Sequence, residues 1–248
     1  MTQNLEKIEL FLSAENLPLH SGVFTHTYPF AVVYEVDRVT KTLKKVGRTD
    51  KVNNQSPTWA QSFVIEFLFE VKQDFVVKVF HADGSKDLNN ESQHRLIGEI
   101  AFELATVLCS STKTVNLPLV NPSDRSNKAL GHLIVRTEAK ADTRDLFCVT
   151  FSANNLANKE GFFAKSDPFI RILRCNEDGS YSPVWESPVV KDSLNPRWAA
   201  TKLSLSKICN GDIHRPLRFE IYDHEKSGKH VFMGQVSEVS VASLVQNR

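Results

Sequence analysis

Ser166-Asp167-Pro168 places a carboxylate in a tight turn, with Phe162 and Phe163 just before it and the apolar run from Phe169 to Ile172 just after. Such a carboxylate can cap the backbone amides of its own turn. Anything more depends on which other groups the fold brings beside it. The constellations that carry catalysis are missing: there is no glycine-rich phosphate loop, no Gly-x-Ser-x-Gly and no His-Glu-x-x-His. The eight histidines are dispersed, and the nearest pair, His224 and His230, has no further nitrogen or sulfur at zinc spacing. Cys109, Cys148, Cys175 and Cys209 form no Cys-x-x-Cys pair, the pattern of reduced cytosolic thiols. Trp59 and Trp198 each stand two residues after a proline and read as core anchors. These residue types point to a binding protein and not to an enzyme.

The surrounding sequence is that of a cytosolic globular protein. Its 248 residues, 41% hydrophobic and 24% charged, suffice for two medium domains. A formal charge of +1 supplies no basic field to hold nucleic acid, so a charge-driven partner must meet a local patch. The amino terminus interleaves charges with apolar residues, unlike a secretory signal, and the longest apolar runs, such as FAVVY from Phe30, are strand-sized. Membrane contact is therefore peripheral.

The chain repeats itself. FLSAENL, ending at Leu17, returns as TFSANNL, ending at Leu156, and this offset of 139 residues also relates Tyr28 to Asp167 and Trp59 to Trp198. HRLIGEI around Gly98 answers HVFMGQV around Gly234, 136 residues later. The expected domains are 1–139 and 145–248, joined through the polar stretch Thr137 to Asp145. Each consists of short runs alternating at period two and punctuated by Pro, Gly and Asn, which predicts an all-β antiparallel sandwich. Only Phe102–Leu108 and Ser204–Cys209 read as short helical turns.

With strand, Ser-Asp-Pro-Phe, strand, Asn-Pro-x-Trp turn and a late acidic loop closed by a bulky pair and Gly, each unit resembles a C2 domain. The second, through GFFAKSDPF, LNPRW, CNGD and SGKHVFMG, is similar to the second C2 domain of copines. Copines are cytosolic proteins that bind phospholipid in response to calcium, with two C2 domains ahead of a von Willebrand A-type domain. The resemblance implies two eight-stranded antiparallel sandwiches in tandem, located in the cytoplasm at the cytosolic face of the plasma membrane.

It also implies a calcium site, which needs roughly 6 to 8 oxygens converging from two loops. In the second unit Asp167, Asp223 and Glu225 stand where the pattern has acids, Glu160 lies beside the position occupied by Gly161, and Val231, which cannot ligate, takes the last place. One weakly held calcium is the most this set implies, and a turn cap remains the other role for Asp167. The first unit has Gly22, Tyr28, His81, Asp83 and Arg95 at the matching positions, so it is expected to act without calcium. Arg95 then either touches lipid phosphate in place of the metal or is simply solvated.

Phe162 and Phe163 either enter the headgroup region from the loop tip or pack beneath it. Lys229 in the late loop, together with Lys41, Lys44, Lys45 and Arg48 of the first unit, offers positive charge to anionic phospholipid. A degenerate C2 pair acting as a calcium-independent protein adaptor is the rival reading. Finally, the closing strand of the first unit, from Gly131, has no counterpart before Arg248, nor does a von Willebrand A-type domain follow. The second sandwich is expected to show seven strands against eight, with a gap beside Phe147 to Phe151, in a chain either truncated or completed by a partner strand.

Overall fold

Alternation at period two decides which face of each strand is buried. Leu10, Leu12 and Ala14 of β1 (Leu5–Glu15) point into the same core as Ala31 and Val33 of β2 (Pro29–Val36). The computed structural model describes residues 5–19, 27–84, 86–123, 129–159, 165–226 and 228–246. The chain divides into two units, Met1–Lys140 and Ala141–Arg248.

The first unit continues with β3 (Leu43–Arg48), β4 (Thr58–Leu68), β5 (Asp74–His81), β6 (Arg95–Glu103), the short helix α1 (Leu104–Leu108), β7 (Thr114–Pro118) and β8 (His132–Ala139). They form two four-stranded antiparallel sheets, in the orders β4-β1-β8-β7 and β3-β2-β5-β6. Trp59 is buried between them and its indole N–H donates to the Pro29 carbonyl at 3.4 Å. β2 buries its other face too, through Phe30, Val32 and Tyr34 packed with Phe80 and Ala82.

The second unit comprises β9 (Leu146–Val149), β10 (Pro168–Cys175), β11 (Tyr181–Glu186), β12 (Thr201–Ser204), α2 (Leu205–Ile208), β13 (Leu217–Asp223), β14 (Val231–Val239) and α3 (Val241–Gln246). The repeat is reproduced down to single hydrogen bonds. Asn16 and Asn155 both sit at φ 55°, a left-handed conformation that asparagine tolerates. The next amides, Leu17 and Leu156, each donate at 2.9 Å to a carbonyl of the loop before the buried tryptophan, Gln55 and Leu194. Trp198 again donates from its indole, to the Pro188 carbonyl at 3.0 Å.

One expectation is corrected. Among the described residues the second unit has six strands, not seven, in a four-stranded sheet β11-β10-β13-β14 and a pair β12-β9. α3 follows β14 as α1 follows β6, and no described residue supplies a counterpart of either β7 or β8. β7 was missed because its sequence, TVNLP, is short and half-exposed, without the alternation that marks the longer strands.

Candidate functional site

The antiparallel pairing of β10 with β13 sets Pro168 opposite Asp223 and so brings the two acidic loops to one end of the sheet. There the Asp167 amide donates to Asp223 Oδ1 at 2.7 Å, and the His224 amide donates to the Asp167 carbonyl at 3.0 Å. Asp223 is fully buried, and its second oxygen, Oδ2, accepts no hydrogen bond. A buried carboxylate oxygen without a donor costs on the order of 1–3 kcal/mol, a debt that a cation or a water can relieve.

Asp167 is half-buried and its Oδ1 accepts from the Asp192 amide at 2.7 Å. It therefore does cap a backbone amide, though of the loop after β11 and not of its own turn. Asp192 in turn accepts from the Lys165 amide at 3.0 Å, so two aspartates lace the two loops together. Each carboxylate of the Asp167–Asp223 pair thus gives one oxygen to a backbone amide.

Glu225 is half-exposed, and its amide donates to His230 Nδ1 at 3.1 Å. The His230 ring stands edge-on to Phe169, with centroids 4.9 Å apart, and 5.0 Å from the His224 ring. Burial, helped by the nearby His224 and Arg171 charges, lowers the His230 pKa below that of a free histidine. A neutral imidazole is what an accepting Nδ1 requires. Among the described residues no group of three or more His, Cys, Asp or Glu side chains is close enough to hold a metal ion. Glu160, Gly161, Phe162 and Phe163 lie outside the described residues. Lys229 is exposed on the late loop, beside Val231 and Phe232, whose apolar side chains are also exposed.

The first unit builds the same loop end without the acid. His81 is buried where the second unit has Asp223, and its Nδ1 accepts from the Tyr28 amide at 3.3 Å. This is the neutral equivalent of the Asp167–Asp223 bond. Likewise the Asp83 amide donates to His94 Nδ1 at 3.1 Å, and His94 stands edge-on to Phe30 at 5.1 Å, as His230 does to Phe169. The Asp83 carboxylate is drawn to Lys86 at 3.6 Å. His94 and His230 went unremarked as a pair in the sequence reading, although HRLIG and HVFMG place them 136 residues apart, at the offset of Gly98 and Gly234.

The basic residues are not equivalent. Lys45 pairs with Glu91 at 2.9 Å, and Arg48 is held by Asn89, Asp50 and the Thr49 carbonyl. Glu91 also accepts from the Tyr34 hydroxyl; burial and that carboxylate together raise the Tyr34 pKa. Arg95, Lys41 and Lys44 are exposed and make no ion pair among the described residues. No helix among the described residues is long and apolar enough to cross a membrane.

A family model described as "C2 domain" matches residues 10–119 and 144–247. The chain belongs to the C2 domain family. Among solved structures, "BON1-C2B" is 33% identical over 41% of this chain and 67% of that one, with a TM-score of 0.36. The calcium-bound pair of C2 domains of Extended-Synaptotagmin 2 is 16% identical, covering 97% of this chain and 85% of that one, with a TM-score of 0.37. "Human GIVD cytosolic phospholipase A2" is 12% identical, covering 97% of this chain and 29% of that one, with a TM-score of 0.39. The two C2 domains of this chain thus keep one loop architecture but differ in the charge at its centre, Asp223 in the second and His81 in the first.

Proposed function

We propose that this tandem C2 chain is a copine-like, non-catalytic module that docks peripherally on anionic phospholipid at the cytosolic face of the plasma membrane, with response to calcium confined to the second domain. The observation that carries this reading is the buried Asp223 beside Asp167, with one carboxylate oxygen lacking a donor, against a neutral imidazole in the first domain. Asp167, Asp223 and Glu225, with Glu160, would hold the ion, and the shortage of oxygens against the ~6 to 8 that calcium takes makes the site weak. Bound calcium would cancel the repulsion of these carboxylates and bridge to lipid phosphate.

The first domain contributes charge that needs no metal. Exposed Arg95, Lys41 and Lys44 meet the lipid directly, while Lys45 and Arg48 must first leave their carboxylate and amide partners. In the second domain Lys229, Phe162 and Phe163 join the contact. Sedimentation of the full chain with phosphatidylserine vesicles, with calcium and with chelator, tests the reading. Binding that calcium strengthens, and that loses this increment in Asp223→Asn, is the expected result. Sedimentation in neither condition overturns it in favour of a calcium-independent protein adaptor.

A further inference from the structure

In the first unit β1 has two neighbours, β4 on one edge and β8 on the other. Its counterpart β9 pairs with β12 alone, and no described residue pairs with its second edge. Beside that edge lies an open groove of about 700 Å³. Phe147, Val149 and Phe151 form one wall, Ile170, Phe219 and Ile221 the floor, and β14 the far side. Val236 on that side is 59% exposed, unusual for a side chain facing an apolar channel.

The duplicated unit shows what belongs in such a groove. A Cβ placed on Gly98 would stand 3.0 Å from Leu119 and 3.2 Å from the Val120 carbonyl oxygen, in the segment that leads from β7 to β8; on Gly234, its repeat equivalent, it would meet nothing within 4 Å. β8 itself seals the first sandwich by burying Leu133 and Val135 completely and Thr137 to 1% exposure. These three face Ala14, Leu12 and Leu10 of β1. The repeat offset carries those positions to Ala153, Phe151 and Val149.

We propose that the groove of the second unit receives a β-strand from another polypeptide, an extended segment with apolar residues at alternate positions, added antiparallel to the free edge of β9. Two features of the site select that chemistry. The unpaired backbone of β9 requires a partner with its own row of N–H and C=O groups, which neither a lipid chain nor an amphipathic helix presents. The spacing of Val149, Phe151 and Ala153 along one face requires apolar side chains two residues apart, as Leu133 and Val135 are in β8. The inference does not depend on the membrane reading, because the groove borders β9 and β14 and not the loops that carry Asp167 and Asp223.

Hydrogen–deuterium exchange on the full chain, with and without a synthetic peptide of the β8 sequence HLIVRTEA flanked by lysines, tests the proposal. Exchange of the amides from Phe147 to Phe151 is expected to slow by about tenfold or more as strand pairing protects them. A peptide carrying Leu133→Asp and Val135→Asp is expected to leave them unchanged, and Gly234→Trp, which fills the groove, to abolish the protection. If Gly234→Trp does not fold, the two peptides decide by themselves. Unaltered exchange at the highest soluble peptide concentration, or equal protection by both peptides, overturns the proposal. Protection that appears instead on raising the protein concentration without peptide assigns the groove to a second copy of the chain and overturns it as well.

Discussion

Asp167 and Asp223 lie 56 residues apart in sequence and are joined by a 2.7 Å hydrogen bond from the amide of the first to the carboxylate of the second. Tyr28 and His81 make the corresponding bond in the first domain at 3.3 Å, with an imidazole nitrogen as acceptor. The fold needs an acceptor at this point in both domains. A charge is present in only one, and that surplus is what a cation would use.

Asp223→Asn keeps an oxygen to accept the Asp167 amide and removes the charge from a fully buried site. In chelator, urea unfolding is expected to show the variant more stable by about 1 kcal/mol, since a buried carboxylate with an unmet oxygen is the costlier group. A clear loss of stability would show that the charge has a partner in the folded protein.

His230 has a folded-state pKa below its unfolded value, because burial opposes its charging and His224 and Arg171 add positive charge nearby. The unfolded chain then binds more protons, so this residue's contribution is fully present above about pH 6.5 and declines as pH falls toward the lowered folded value. Denaturation midpoints of the wild type are expected to drop on acidification through that range, with a smaller drop in His230→Gln. Superimposable pH profiles for the two proteins would refute the assignment.

Burial, followed by the neighbouring Asp212 charge, raises the Cys209 pKa, and its Sγ lies 3.2 Å from the Leu205 carbonyl. Cys109 and Cys148 are exposed. Thiol labelling of the native protein followed by peptide mapping should modify those two readily and Cys209 only after unfolding. Early modification of Cys209 would mean that α2 opens under native conditions.

Phe162 and Phe163 precede the Ser-Asp-Pro turn. Replacing both with Ala is expected to weaken vesicle binding by on the order of 1–3 kcal/mol, in proportion to the apolar area withdrawn from water, and to leave the melting temperature nearly unchanged. A large fall in melting temperature with unaltered vesicle affinity would place the pair in the core.

Order along the chain was enough to show the duplication, the all-β class, Trp59 and Trp198 as core anchors, and a gap beside the first strand of the second domain. Such features are local or periodic: alternation at period two, a turn before each tryptophan and a constant offset can all be read without knowing which strands meet. What β10 and β13 do at their shared end could not be read that way. Pairing of strands half a domain apart makes Asp167 a cap for Asp192, leaves Asp223 Oδ2 without a donor and lets His81 replace a carboxylate as a neutral acceptor. The same holds for Lys45, whose exposed-looking sequence context gave no sign of Glu91, 46 residues on. Hydrogen bonds and ion pairs form between groups that topology brings within about 3 Å, and a residue's own neighbours in sequence carry no record of that meeting.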